Sequence, residues 1–269
     1  MERCRRRNRR KKRGWIGAVV LLIIFAAVTC VFINMFVNND GNKPVNETLP
    51  TAFNSSRPAY THENKSSDIS PEATQEVNAQ NDEFLILVNK DHPNLSGDRP
   101  EGMVELRSIF FDGSVVLQNP ECSVNQTAGI AAKKMLRDAQ NSGLGPFVIT
   151  TAYRSVEFQD KLYKEYIARH PEQTIGKVLP GYASEHSTGL AIDILSESHN
   201  NADDDFINTP EGKWLSENAH KYGFIMRYPY GKGELTGVIF EPWHYRYVGI
   251  EAATEIYNKG ICLEEYLEK

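Results

Sequence analysis

The chain has 269 residues, 41% of them hydrophobic, enough for one large domain or two small ones with a real core. Its formal charge of −5 hides a split, because residues 1–13 carry nine Arg or Lys against one Glu and the remainder carries 21 basic and 34 acidic side chains. Such a basic patch taken alone would suggest nucleic acid, but the stretch behind it excludes that reading, and no nucleic-acid partner is expected.

Residues 15–37 are almost wholly apolar, broken only by Gly17, Thr29 and Asn34, and carry no charge. About 20 such residues at ~1.5 Å rise cross a ~30 Å hydrocarbon core, and the positive-inside rule then places the basic end in the cytoplasm. The sequence therefore predicts a single-pass protein of the cell membrane. It has a cytoplasmic basic segment (1–14), an uncleaved transmembrane signal anchor (15–37) and an extracytoplasmic remainder. A cleaved signal peptide fits less well, since the apolar run exceeds the usual ~7–15 residue core and no small-x-small site follows. Residues 38–82 are rich in Asn, Ser, Thr, Pro and acidic side chains. They bury too little apolar surface to offset ordering, and are expected as a disordered tether.

The folded domain is expected over residues 83–269. Residues 83–88 read as a short strand, and Asp112-Gly113, between apolar runs at 109–111 and 115–117, is a hairpin signal. Ala128, Ala131, Ala132, Met135, Leu136 and Ala139 recur at helical spacing, and Asn141-Ser142-Gly143 ends the run. Residues 147–151 read as a strand delivering Tyr153-Arg154 at its end. Ser155 can then cap a helix with Phe158, Leu162 and Tyr166 on one face and Gln159 held near Arg154. A polar loop over 171–180 leads to an apolar strand from Leu190 to Leu195, and a second polar loop, 199–205, precedes a helix over 210–222. Residues 238–240 are expected as a strand ending in a turn at Glu241, and 250–258 as a terminal helix. The mixture predicts an α+β domain, a small antiparallel sheet with packed helices, preceded by the one transmembrane helix.

Two stretches carry chemistry. Ser184-Glu185-His186-Ser187-Thr188-Gly189 runs into the strand that holds Asp193, and Glu241-Pro242-Trp243-His244 follows about fifty residues later. Gly189 permits a tight or left-handed backbone that folds His186 back toward the strand, while Pro242 favours a rigid turn around Glu241. Two His and one Asp with a spare position suit an open catalytic zinc site, and Glu241 is placed to serve as the proton-transferring base beside a water. The other histidines, His62, His92, His170, His199 and His220, read as structural or exposed. Whether Cys122 and Cys262 pair is left open.

The frame Ser-x-His-x-x-Gly-x-Ala-x-Asp followed by Glu-Pro-Trp-His resembles the VanY-type D-alanyl-D-alanine carboxypeptidases, zinc metallopeptidases of hedgehog/D-Ala-D-Ala peptidase-like fold. The likeness covers roughly residues 84–255. It implies His186, Asp193 and His244 as ligands of Zn2+ and Glu241 as general base and acid. It further implies Arg154, in Tyr153-Arg154-Ser155, as the group that binds the substrate carboxylate, with Gln159 and Ser184 lining the pocket. The substrate implied is a peptidoglycan stem peptide losing its C-terminal D-alanine. Two alternatives stay open: an L,D-carboxypeptidase acting on tetrapeptide stems, and a catalytically inactive wall-binding module, against which the retained Glu241 argues.

Overall fold

The computed structural model describes residues 83–172 and 176–268. The expected basic segment, membrane anchor and tether lie outside them. Among the described residues no helix is long and apolar enough to cross a membrane, and the expected cell-membrane localisation is corrected on that finding. The longest helix described has 16 residues and buries only one face, short of the ~20 apolar residues that a span needs.

The described chain opens on a turn at residues 83–84 and irregular chain over 85–88, in place of the expected strand. Strand β1 (Met103–Glu105), helix α1 (Leu106–Ile109), strand β2 (Val116–Leu117) and strand β3 (Ser123–Asn125) follow, and β1 pairs antiparallel with β3. The hairpin expected at Asp112-Gly113 does not form. Asp112 Oδ1 instead accepts from the Ser114 N–H and hydroxyl at 3.2 and 2.7 Å, a local turn that competes with strand pairing. Leu106, Phe110 and Val115 then turn into the core.

Helix α2 (Gln126–Asn141) is capped by Asn125, whose Oδ1 accepts from the N–H groups of Thr127 and Ala128 at 3.0 and 3.2 Å. Its buried face includes Ala128, Ala132, Met135, Leu136 and Ala139, as the spacing predicts. Strand β4 (Phe147–Thr151) leads to helix α3 (Val156–Arg169), where the Ser155 hydroxyl accepts from Phe158 N–H at 3.2 Å. The buried face of α3 is rotated from the expected one: Phe158 is 53% exposed and Gln159 only 2%. The Gln159 amide can be buried because the Leu179 carbonyl and Arg154 satisfy it.

Strand β5 (Ala191–Ser196) is buried along its whole length. Helix α4 (Pro210–Asn218) passes into a 3-10 turn at Ala219–Tyr222, so the predicted helix tightens in its last turn. Strands β6 (Phe224–Met226) and β7 (His244–Tyr247), with a single helical turn at Gly233–Thr236 between them, lead to helices α5 (Ile250–Lys259) and α6 (Leu263–Leu267). The expected strand at 238–240 stays outside the sheet, with Val238 making one isolated bridge to Gly176.

The main sheet runs β2-β4-β5-β7-β6 and is antiparallel except at the β2–β4 edge, which is parallel. That edge corrects the expectation of a purely antiparallel sheet within an otherwise matching α+β fold. Phe147, Ile149, Ile192, Ile194, Phe206, Phe224 and Tyr245 form the centre of the core, each large apolar side chain contributing about 1.5–3 kcal/mol on burial. Cys122 and Cys262 are both free thiols. Asp193 stands in the middle of the fully buried β5, where a carboxylate is costly unless partners surround it.

Candidate active site

The sheet register supplies those partners. Asp193 on β5 lies opposite His244 on β7. His186 arrives from the 3-10 turn Glu185–Thr188, which ends at Gly189 with φ 71°. The left-handed conformation favours glycine there, and a Cβ would in addition force the end of the Met103 side chain to shift. The result is that one ligand atom each from His186, Asp193 and His244 lies within 4.8 Å of the others, and all three residues are buried.

The hydrogen bonds orient each ring. The Ala152 carbonyl accepts from His186 Nδ1 at 2.5 Å, leaving Nε2 to face Asp193 Oδ2 at 3.4 Å. His244 turns the other way, with Nδ1 2.8 Å from Asp193 Oδ1. The rings meet edge to face at 4.8 Å, and Tyr228 covers His244 at 4.9 Å.

The charges follow from this crowding. Burial alone would raise the Asp193 pKa, yet the two imidazoles hold its carboxyl far below the usual carboxylate range. Burial and the Arg154 guanidinium push His186 down to about 4, so it is neutral near pH 7, as a metal-binding imidazole must be. His244 goes up to about 9 despite burial, because Asp193 and Glu185 both favour its charged form. Burial pushes Glu241 up to about 8, against the pull of His244 and with the push of Asp193. A divalent cation fits this donor set: two imidazoles and a carboxylate converge, and the His186 nitrogen facing Asp193 has no other hydrogen-bond partner.

The remaining residues frame the trio. Glu241 donates its backbone N–H to the Tyr228 carbonyl at 3.1 Å and accepts from His244 N–H at 3.2 Å, so the Pro242 turn is fixed at both ends. Arg154 donates its backbone N–H to the His186 carbonyl at 3.1 Å and sets Nη1 3.9 Å from Asp193 Oδ2. Gln159 accepts from Arg154 Nε at 2.6 Å and donates to the Leu179 carbonyl at 2.8 Å, which makes it a strut for the guanidinium. Ser184 is buried at the foot of the turn, its carbonyl accepting from the Ser187 hydroxyl at 2.8 Å. The structure thus brings His186, Asp193, His244 and Arg154 together, joins Gln159 through Arg154, and sets Ser184 beneath His186.

Sequence reasoning missed a second buried cluster against this one. Glu185 Oε1 accepts from Arg227 Nε at 2.7 Å and from Arg246 Nη1 at 2.8 Å, and Arg227 also makes a two-pronged contact with Glu264 at 2.8 and 2.6 Å. Arg246 extends to the carbonyls of Phe84 and Ile86 at 2.9 and 2.7 Å. Two signals were available: Glu185 adjoins His186, and Arg246 lies two residues after His244 on one strand face.

A family model described as D-alanyl-D-alanine carboxypeptidase (VanY) matches residues 121–250, which include the metal trio, Arg154 and Glu241. A solved VanY from a VanB-type resistance cassette, in complex with Zn(II), is 32% identical with a TM-score of 0.55, and the match covers 69% of this chain and 99% of that one. The chain belongs to the VanY family. A D-alanyl-D-alanine carboxypeptidase of Enterococcus faecium is 36% identical over 188 residues, 68% of this chain and 57% of the relative, so the chain spans little more than half of that protein's length. The structure of the LdcB LD-carboxypeptidase is also similar to this VanY-family chain, at 35% identity and a TM-score of 0.61, covering 71% of this chain and 88% of that one.

Proposed function

We propose that this VanY-family chain is a zinc-dependent D-alanyl-D-alanine carboxypeptidase that removes the C-terminal D-alanine from peptidoglycan stem peptides. The observation that carries the reading is the guanidinium of Arg154 set 3.9 Å from Asp193, beside a buried His-Asp-His trio. His186, Asp193 and His244 would hold the cation, which would supply Lewis acidity toward a water and a scissile carbonyl.

Glu241 takes a proton from the attacking water and returns it to the leaving amine. Its pKa of about 8 suits both transfers near neutral pH. Arg154, its Nε engaged by Gln159, keeps its two terminal nitrogens for the substrate's free carboxylate in a charge-assisted pair. An internal peptide bond offers no such charge, so the residue confines the enzyme to chain ends. Tyr228 closes over His244 and limits water on that side.

The likeness to the LdcB LD-carboxypeptidase favours a second reading, cleavage of an L,D bond in tetrapeptide stems. Incubation of the protein with purified stem peptides, followed by chromatography and mass analysis, separates the two. Tetrapeptide formed from pentapeptide supports the D,D reading, tripeptide formed from tetrapeptide supports the L,D one, and no cleavage of either peptide by the zinc-supplied protein rejects both.

A further inference from the structure

We propose, resting on the metal reading above, that Glu185 is a positioning residue for the site: its Oε2 receives the Nε2 proton of His244 and so aims the opposite nitrogen, Nδ1, at the cation. Two buried polar atoms without a hydrogen-bond partner carry this. Both Glu185 Oε2 and His244 Nε2 lack one, and they face each other at 3.7 Å. An approach of roughly 0.5 Å turns that contact into a hydrogen bond, and a hydrogen bond from the far nitrogen of a metal-bound imidazole fixes its tautomer and ring orientation.

The carboxylate is held so that it cannot turn away. Its other oxygen is taken by two guanidinium groups, Arg227 Nε and Arg246 Nη1. Arg227 is in turn gripped by both oxygens of Glu264, and Arg246 by the carbonyls of Phe84, Ile86 and Tyr247. A carboxylate serving only as a counterion would give both oxygens to guanidinium groups. Glu264 does so with Arg227, and its Oε1 also accepts from Asn89 at 3.2 Å. Glu185 leaves one oxygen bare toward the imidazole. His244 is therefore flanked by carboxylates on both nitrogens, Asp193 at Nδ1 and Glu185 at Nε2.

The test uses the full chain. Cobalt(II) affinity is measured by competition with a chelator, and the visible spectrum of the bound cobalt reports its coordination. Glu185→Gln is expected to weaken binding by about 10–100-fold and to alter the cobalt bands. Glu264→Gln, which removes a carboxylate from the same arginine without touching His244, is expected to lower the melting temperature yet bind within about twofold of wild type. Wild-type affinity in a folded Glu185→Gln protein, or an equal loss in Glu264→Gln, overturns the inference while leaving the metal site intact. A wild-type chain that takes up no metal overturns both. Should Glu185→Gln fail to fold, the charge-balanced Glu185→Gln/Arg246→Met variant carries the same measurement. Nitrogen-15 histidine spectra of the zinc-loaded wild type need no variant at all: a proton on His244 Nε2 supports the assignment, and its absence overturns it.

Discussion

Two buried clusters of charge meet at Glu185, and they are finished to different degrees. In the first, Glu185, Arg227, Arg246 and Glu264 balance two positive against two negative groups, and nearly every donor and acceptor has a partner within the protein. In the second, His186, Asp193, His244, Glu241 and Arg154 crowd together with their ordinary proton affinities pushed in opposite directions. Both sit in a low-dielectric interior where an unmatched charge is expensive. The first closes on itself and can act as scaffold, whereas the second needs something from outside to complete it, which is how a reactive site differs from a structural ion pair.

Experiments on each cluster would break or sharpen that contrast. Removing metal with a chelator is expected to abolish D-alanine release and zinc to restore it. Glu241→Ala is expected to cost about 10²–10⁴-fold in turnover while cobalt binding persists; hydrolysis that survives either change would remove the second cluster from the chemistry. Arg227→Met strikes the first cluster and is expected to cost about 3–5 kcal/mol by denaturant unfolding, since Glu264 loses its counterion. A change below about 0.5 kcal/mol would mark that cluster as incidental.

Arg154→Ala returns to the second cluster. It is expected to raise KM for stem peptides by roughly 10–100-fold, given the ~1.5–3 kcal/mol of a charge-assisted hydrogen bond. A stem peptide amidated at its C-terminus should be an equally poor substrate for the wild type.

The pH dependence of stability separates Glu241 from the first cluster by sign. In the metal-free protein Glu241 holds its proton up to about 8, compared with 4.5 when unfolded, so its part of the stability is present below 4.5 and is lost as pH rises through 8. Glu185 and Glu264 are lowered instead, so their part is present above 4.5 and is lost as pH falls through their lowered values. Melting curves of metal-free wild type and Glu241→Gln should therefore diverge between pH 5 and 8, the wild type losing stability relative to the variant as pH rises. Parallel curves would refute the assignment. The smallest effect belongs outside both clusters: Asn125→Ala should cost about 1 kcal/mol by removing the cap of α2, with D-alanine release unchanged.

The sequence made the site legible where chemistry is concentrated in short frames. His186, Asp193, His244 and Glu241 could be picked out because a glycine turn, a strand and a proline turn bracket them, and α2, β4 and α5 show their own periodicity or caps. The supporting lattice had no such local signature. Arg227 and Arg246 lie 42 and 61 residues from Glu185, and charged residues in a sequence read by default as solvated. The apolar runs at 83–88 and 238–240 misled for a related reason. Each has strand composition, but extended chain becomes strand only where an edge is free to receive it. In the first run the backbone carbonyls of Phe84 and Ile86 are claimed by the Arg246 side chain, and in the second Pro242 follows one residue beyond the run. The exposed Phe158 shows the converse, because hydrogen bonds to Arg154 and Leu179 settled which face of α3 turned inward.

The carbonyls that Phe84 and Ile86 lend to Arg246 set a natural limit on how far the amino-terminal side can be trimmed. A protease cutting beyond Ile86 would strip two acceptors from a fully buried guanidinium and disturb the metal pocket from a distance, whereas a cut just ahead of Glu83 would leave that anchorage whole.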